Sequence, residues 1–410
     1  MKRLLGIVNI DGKEQLFVSS GTFVGFVDSS QSKDFKAYNW QKGLIKAKET
    51  KDELFNFRLG PSAGALFESV VFNIYTYGER MKEVYIDNTY KSRFIEDKMI
   101  NKDVFEALKL SEQICASFSF SHSCAFSRAV EEAFGITPDD NTKIMRLILL
   151  EVERIFNHIF VISRLSGAAA QKVFTNHLIY LFDEILSLNK TFFGSRFLKN
   201  INTIGTIKGI KGISKDKMEE FVKKLDDIVK EFSKLYQFSL KSYNYLDRLH
   251  NTGILTMEDF ESINFDGPAL KAIGTSLDTR VYEELLEGFD SIVHEGGDSL
   301  SRMIVRAEEI MQSMELIKKL FQKLKTSNNK TNIKIEKDNQ KRTAIGFAES
   351  PSGAIYYYIE LLGDKIKYVY ISTPSMFLIK AMEASLVGQI FTDFAFTIDS
   401  FGAFFADAAK

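Results

Sequence analysis

Between residues 142 and 166 apolar side chains recur at steps of three and four, and Ile144, Leu147, Ile148, Ile155, Ile159 and Ile162 make the buried face of a helix. Pro138-Asp139-Asp140 opens it and Gly167 stands near its close, as capping rules expect. A second helix is expected over 176–192, ending before Gly194, and a third, mixed in charge, over 217–246. Gly267-Pro268 reads as a turn. The clearest periodicity covers 298–325, where Met303, Ala307, Ile310, Met314, Ile317 and Phe321 form a stripe with a mean step near 3.6.

Other segments alternate with period two. Residues 15–18 and 23–27 read as strands, 69–77 and 81–86 as a hairpin joined at Gly78-Glu79, and 353–362 and 365–371 as another around Gly363-Asp364. A helix over 375–387 follows, and the charged run 46–52 and the polar run 326–340 read as a linker and a surface loop. The pattern predicts an α+β fold, mostly α, with a central long-helix bundle and small β-sheets flanking it in the N- and C-terminal parts. A β-rich segment, 1–57, would precede one domain over 58–410, itself β over 58–92, helical over 93–325 and β plus helix over 341–410.

Composition removes several classes. Basic and acidic residues nearly cancel, 53 against 54, so there is no positive field of the kind that attracts nucleic acid. The apolar run at the N-terminus is interrupted by Asn9 and ended by Asp11 and Lys13, too soon for a signal peptide. No stretch of about 18 apolar residues suggests a membrane span. Two cysteines, Cys115 and Cys124, argue against a disulfide framework and read as small buried core residues. The five histidines are scattered without zinc-site spacing, and Gly205-Thr206-Ile207-Lys208-Gly209 lacks the glycine spacing of a phosphate loop.

Five blocks in order carry a resemblance. The run 112–122, Glu-Gln-Ile-Cys-Ala-Ser-Phe-Ser-Phe-Ser-His, is similar to E-R-I-C-G-x-C-S-x-x-H, and 146–158 to R-x-x-x-x-E-x-x-R-I-x-x-H. Residues 296–309 are similar to G-D-x-x-x-R-x-x-V-R-x-x-E, 349–353 to E-x-P-R-G, and 398–404 echo a terminal D-P-C-x-x-C. Over residues 58–408 the chain resembles the D subunit of complex I and the large subunits of membrane-bound, energy-converting nickel–iron hydrogenases.

Departures from that family fall on both of its chemistries. Of the four thiolate positions only Cys115 keeps its cysteine, while Phe118, Phe401 and Phe404 occupy the others, and phenylalanine supplies no soft ligand. The resemblance therefore implies no metal site here and no active hydrogenase. The three rings are expected to pack together and turn the emptied site into core. Ala63 and Phe67 stand where quinone-reducing members have histidines, Ala116 where they have a tyrosine, Ser92 where a histidine is expected, and Ser352 where E-x-P-R-G has arginine.

What remains is a set of polar residues. Glu151, Arg154 and His158 share one helix face. The resemblance points that face at an iron–sulfur cluster held by a partner small subunit, with a histidine that titrates near neutrality and tunes it. Read without the resemblance, the three are a surface ion pair beside a hydrogen-bonded histidine. Glu96 stands where hydrogenase relatives have a proton-passing glutamate, and reads equally as a salt-bridged or solvated acid. His122 is expected to be a hydrogen-bonded neighbour of the old site rather than a ligand. Arg302 and Arg306, with Asp298 and Glu309, read as a solvated, internally balanced face or as one buried against a partner. The resemblance implies a peripheral subunit on the cytoplasmic side of a complex-I-like, NADH-quinone oxidoreductase-like electron-transfer complex. Such a chain binds no cofactor alone and forms one wall of an acceptor cavity, with quinone at the interface and NAD as a family association. The rival is a non-catalytic scaffold or assembly subunit of such a complex.

Overall fold

A computed structural model describes residues 1–42, 54–63, 68–208, 215–325, 335 and 337–410. The expected linker 46–52, Phe67 and most of the expected loop 326–340 lie outside the described residues. The first strands, β1 (Lys2–Ile10), β2 (Lys13–Ser20) and β3 (Phe23–Asp28), form an antiparallel sheet in chain order. Asp11 and Gly12 both have positive φ, 49° and 77°, as a two-residue turn matched to strand twist requires. A short helix α1 (Tyr38–Gln41) follows. Then β4 (Phe55–Leu59), β5 (Val71–Tyr77) and β6 (Arg80–Asp87) make a second antiparallel sheet. Strand β4 runs across the 57/58 division and pairs with β5.

Short helices α2 (Ile95–Met99) and α3 (Val104–Ser111) lead to α4 (Ser119–Phe134), α5 (Asp140–Ala168) and α6 (Lys172–Phe193). The next long helix, α7 (Lys215–Ser239), packs against α6 and against α11 (Ser299–Lys323), which itself runs along α5. Asp139 accepts from the Thr142 N–H at 2.7 Å and Asp298 from the Ser301 N–H at 2.8 Å, so local caps start α5 and α11 where the sequence places them. Gly194, with φ 79°, closes α6 as expected.

Two expected elements are corrected. The helix over 217–246 is two, α7 and α8 (Tyr243–Leu249), because the Ser239 hydroxyl bonds the Tyr236 carbonyl and the chain turns tightly at 240–242. Gly267-Pro268 opens a short helix, α10 (Gly267–Lys271), because proline's missing N–H costs nothing in a first turn. Helix α9 (Met257–Ile263) precedes it, capped by Thr256.

A small ladder of β7 (Asn202–Thr203) and β8 (Thr206–Ile207) follows α6, and near the C-terminus β9 (Lys341–Ser350), β10 (Gly353–Leu362) and β11 (Lys365–Ser372) form a sheet with β10 central. Helices α12 (Pro374–Leu386), α13 (Phe394–Phe401) and α14 (Phe405–Ala409) complete the chain. Helix α4 lies on β9 and β10, and Gly346 permits it: a Cβ there would fall 2.2 Å from Ala129 N and 2.3 Å from Ala125 O. The first sheet packs on this one through Leu5, Val8 and Phe17 against Tyr356 and Tyr358. The fold is thus mostly helical with small antiparallel sheets, as the pattern predicts.

Candidate functional site: a buried ionic seam beside a phenylalanine-filled pocket

The three polar residues on one face of α5 meet α11 inside the protein. Glu151, Arg154 and His158 are 2%, 1% and 0% exposed, so the face does not reach solvent. His158 Nε2 lies 2.7 Å from Glu309 Oε2, and Arg306 Nη1 lies 3.0 Å from His158 Nδ1. A carboxylate only accepts and a guanidinium only donates, so the imidazole is neutral with its proton on Nε2. A second proton on Nδ1 would face another N–H.

Burial is the largest influence on His158, lowering its pKa to about 3; Glu309 pulls it up and Arg306 and Arg154 push it down. The expected titration near neutrality is therefore corrected. Arg154 spans from Glu151 (3.2 Å) to the backbone carbonyls of Ser350 and Glu349. Any influence of these side chains on a group in a neighbouring chain acts through their field, not by contact.

The segment after Gly267-Pro268 supplies cations that the sequence reading missed. Lys271 Nζ lies 2.5 Å from both Asp278 and Glu309, and Arg280 bonds Asp278 (2.7 Å), Glu309 (3.1 Å) and Glu151 (3.1 Å) while its guanidinium sits over the Phe289 ring. Burial alone would raise the Glu309 carboxyl, but Lys271, His158, Arg154 and Arg280 hold it well below its usual range. The signal was present as a lone lysine in Ala269-Leu270-Lys271-Ala272-Ile273: a charge in a short apolar run is expensive unless paired.

Arg302 and Arg306 are buried within the chain, at 0% and 1% exposure, which corrects both the solvated face and the partner contact. Arg302 donates to Ser400 Oγ, Gly297 O, Gly253 O and Ser299 Oγ, all neutral, and lies over the Phe401 ring at 4.3 Å. Arg306 donates to His158 and to the Phe401 carbonyl. Burial lowers the two to about 9 and about 10, leaving both charged at neutral pH. With three acids (Glu151, Asp278, Glu309) set against Arg154, Lys271 and Arg280, and the buried Asp298 acting on Arg302, the second arginine leaves the seam with one positive charge in excess.

At the old ligand positions Phe118 and Phe404 meet edge to face with centroids 5.0 Å apart, and Phe160 stacks on Phe404. Phe401 does not join them but lies under Arg302, correcting the expected three-ring cluster. Burial raises the Cys115 thiol well above its usual value and the Cys124 thiol to about 12, so neither is a thiolate. Among the described residues no group of His, Cys, Asp and Glu converges as a metal site. The residues present do not fit a nickel–iron centre.

His122 is hydrogen-bonded at both ring nitrogens, its Nδ1 2.8 Å from Tyr357 Oη and its Nε2 2.9 Å from Asp407 Oδ1. Ser352, at the arginine position, donates to the Gly402 carbonyl at 2.9 Å and ties β9–β10 to the C-terminal turn. Glu96 accepts from the Ile371 N–H at 2.7 Å and from Lys410 Nζ at 3.0 Å, which is the salt-bridged of its alternatives. Ala116 is exposed, whereas the loop after Ala63 is outside the described residues.

Residues 175–344 match the family described as respiratory-chain NADH dehydrogenase, 49 Kd subunit. The C/D subunit of the NADH-quinone oxidoreductase of Phocaeicola vulgatus is 26% identical over 83% of this chain, and the D subunit of that of Flavobacterium johnsoniae 27% over 70% of each chain. A carbon monoxide-induced hydrogenase of Rhodospirillum rubrum is 24% identical over 84% of this chain and 96% of its own length. The chain spans 66% and 62% of the lengths of the C/D proteins of P. vulgatus and Bacteroides thetaiotaomicron. One chain of the membrane-bound sulfane sulfur reductase, an archaeal respiratory membrane complex, shares the fold with a TM-score of 0.77 at 19% identity, covering 89% of this chain and 100% of that one.

Proposed function

The chain belongs to the family of the complex I D subunits and the hydrogenase large subunits, and from that premise we propose that it is an electron-transfer subunit of a complex-I-like membrane complex that has no nickel–iron chemistry. The observation that carries this reading is the contrast between two neighbouring places. The thiolate positions are filled by the Phe118–Phe404 contact, while the charged seam behind them is built and fully buried.

In this reading the partner subunits carry the redox cofactors, an iron–sulfur cluster in the small subunit first among them. The positive seam of Arg302 and Arg306 favours the reduced, more negative state of a nearby cluster through its field. His158, held neutral, sets the field without adding a proton. This chain forms one wall of the acceptor cavity, with quinone as the acceptor class. The chain sits peripherally on the cytoplasmic side of that membrane complex, and no helix among its described residues is long and apolar enough to cross a membrane.

A second reading, a scaffold without redox chemistry, draws on the same ring packing. Purification of the tagged chain from membranes, with identification of its partners and analysis for iron, sulfide and nickel, tests both. An iron–sulfur subunit recovered without nickel supports the proposal, and nickel in stoichiometric amount overturns it. Redox titration of that cluster, comparing the native chain with Arg302→Gln, separates the two readings: a lowered midpoint potential supports electron transfer, and an unchanged one supports the scaffold.

A further inference from the structure

Two buried carboxylates beside the seam each have an oxygen that accepts no hydrogen bond from any of the described residues. Glu349, near the end of β9, is 4% exposed; its Oε2 accepts from Thr279 N–H at 2.9 Å and Thr279 Oγ1 at 2.7 Å, and its Oε1 has no partner. Asp266, which precedes α10, is 0% exposed; its Oδ2 accepts from Arg3 Nη1 at 2.6 Å and the Ala354 N–H at 3.2 Å, and its Oδ1 has no partner. Ala354 is the ladder partner of Glu349, so the two acids are neighbours across the β9–β10 turn.

Adjacent acids in a dry interior do not both ionise cheaply, and the proton goes to the one with the weaker hold on charge. Asp266 has an arginine. Glu349 has only the neutral donors of Thr279. Burial first, then Asp278 and Asp266, push the Glu349 carboxyl above its usual range, and Lys271 and Arg154 draw it only partly back. The remaining charged groups of the elements around it, Glu151 on α5, Arg280 after α10 and Glu309 on α11, are bound to one another.

Thr279 also borders solvent-open space, although it is only 6% exposed. With Arg128, Glu131, Tyr282 and Phe347 it lines a solvent-open cavity of about 460 Å³. The residue whose hydroxyl bonds the buried acid is therefore also a residue of the cavity wall.

We propose that Glu349 is a proton-carrying site, loaded from this cavity through the Thr279 hydroxyl and placed against the ionic seam. A cavity water gives a proton to Thr279 Oγ1 as that oxygen passes its own to Glu349 Oε2. The carboxylate becomes a neutral acid, the solvent loses one proton, and no electron moves. The inference rests on the electron-transfer reading for its purpose, since a proton held beside a redox-linked seam compensates arriving negative charge.

Infrared pH-difference spectroscopy of the full chain in isolation tests it. The native chain is expected to show the carbonyl band of a protonated carboxylic acid at neutral pH, bleaching at alkaline pH. Glu349→Gln removes that band and Glu349→Asp, which keeps an acid, shifts it. Thr279→Val keeps the band but slows its hydrogen–deuterium exchange several-fold. A band unchanged in both Glu349 variants, or wild-type exchange in Thr279→Val, overturns the site or its route respectively. Because partners are not needed for this readout, its failure is distinct from a failure to recover an iron–sulfur subunit.

Discussion

His158 and Glu309 bind each other at 2.7 Å across the α5–α11 seam, and this contact fixes which ring nitrogen carries the proton, while burial and Arg306 keep the ring neutral. Its other nitrogen faces Arg306, so the ring has one proton to give and one lone pair to offer, and both are used.

Nuclear magnetic resonance of labelled imidazoles should therefore find His158 as the Nε2–H tautomer, unchanged between pH 8 and pH 5. With a folded pKa near 3 against about 6.5 unfolded, its contribution to stability is fully present above the unfolded value and is lost as pH falls toward the folded one. A His158 resonance titrating near pH 6.5 in the folded chain would refute the arrangement.

Glu309→Gln should cost about 3–5 kcal/mol, because it strips Lys271 and Arg280 of a buried counter-charge. Lys36→Ala, breaking a pair whose side chains are 61% and 55% exposed, should cost under about 1 kcal/mol. Denaturant unfolding of the two variants measures the contrast, and comparable losses would contradict it.

Phe118→Ala should destabilise by about 3–5 kcal/mol through the cavity it leaves. A double-mutant cycle with Phe404→Ala should return a coupling of about 0.5–1.5 kcal/mol for the edge-to-face pair. Zero coupling would mean that the rings do not pack as described.

Gly346→Ala should cost at least about 1–3 kcal/mol, because its methyl group would meet backbone atoms of α4 that cannot rotate away. Calorimetry showing an unchanged melting temperature would place α4 farther from β9.

The caps written beside α5 and α11 made those helices legible, and Asp139 and Asp298 act locally as their positions suggest. Helix α4 was not legible. Its sequence, Ser-Phe-Ser-His-Ser-Cys, alternates like a strand, it is buried nearly all round, and its cap is remote: Glu153 on α5 accepts from the N–H groups of Phe120 and Ser121. The ladder that adds β9 to the expected hairpin also escaped notice, hidden behind a polar run.

The pattern of apolar positions, the terminal caps and the missing cysteines were enough to establish a helical bundle with small sheets and to remove nickel–iron chemistry, because period and ligand identity are local properties. Whether Glu151, Arg154 and His158 faced outward or inward was not local. Their charged partners, Arg280, Arg306 and Glu309, lie more than a hundred residues away along the chain, and only the packing of α5 on α11 brings opposite charges close enough to hold them buried.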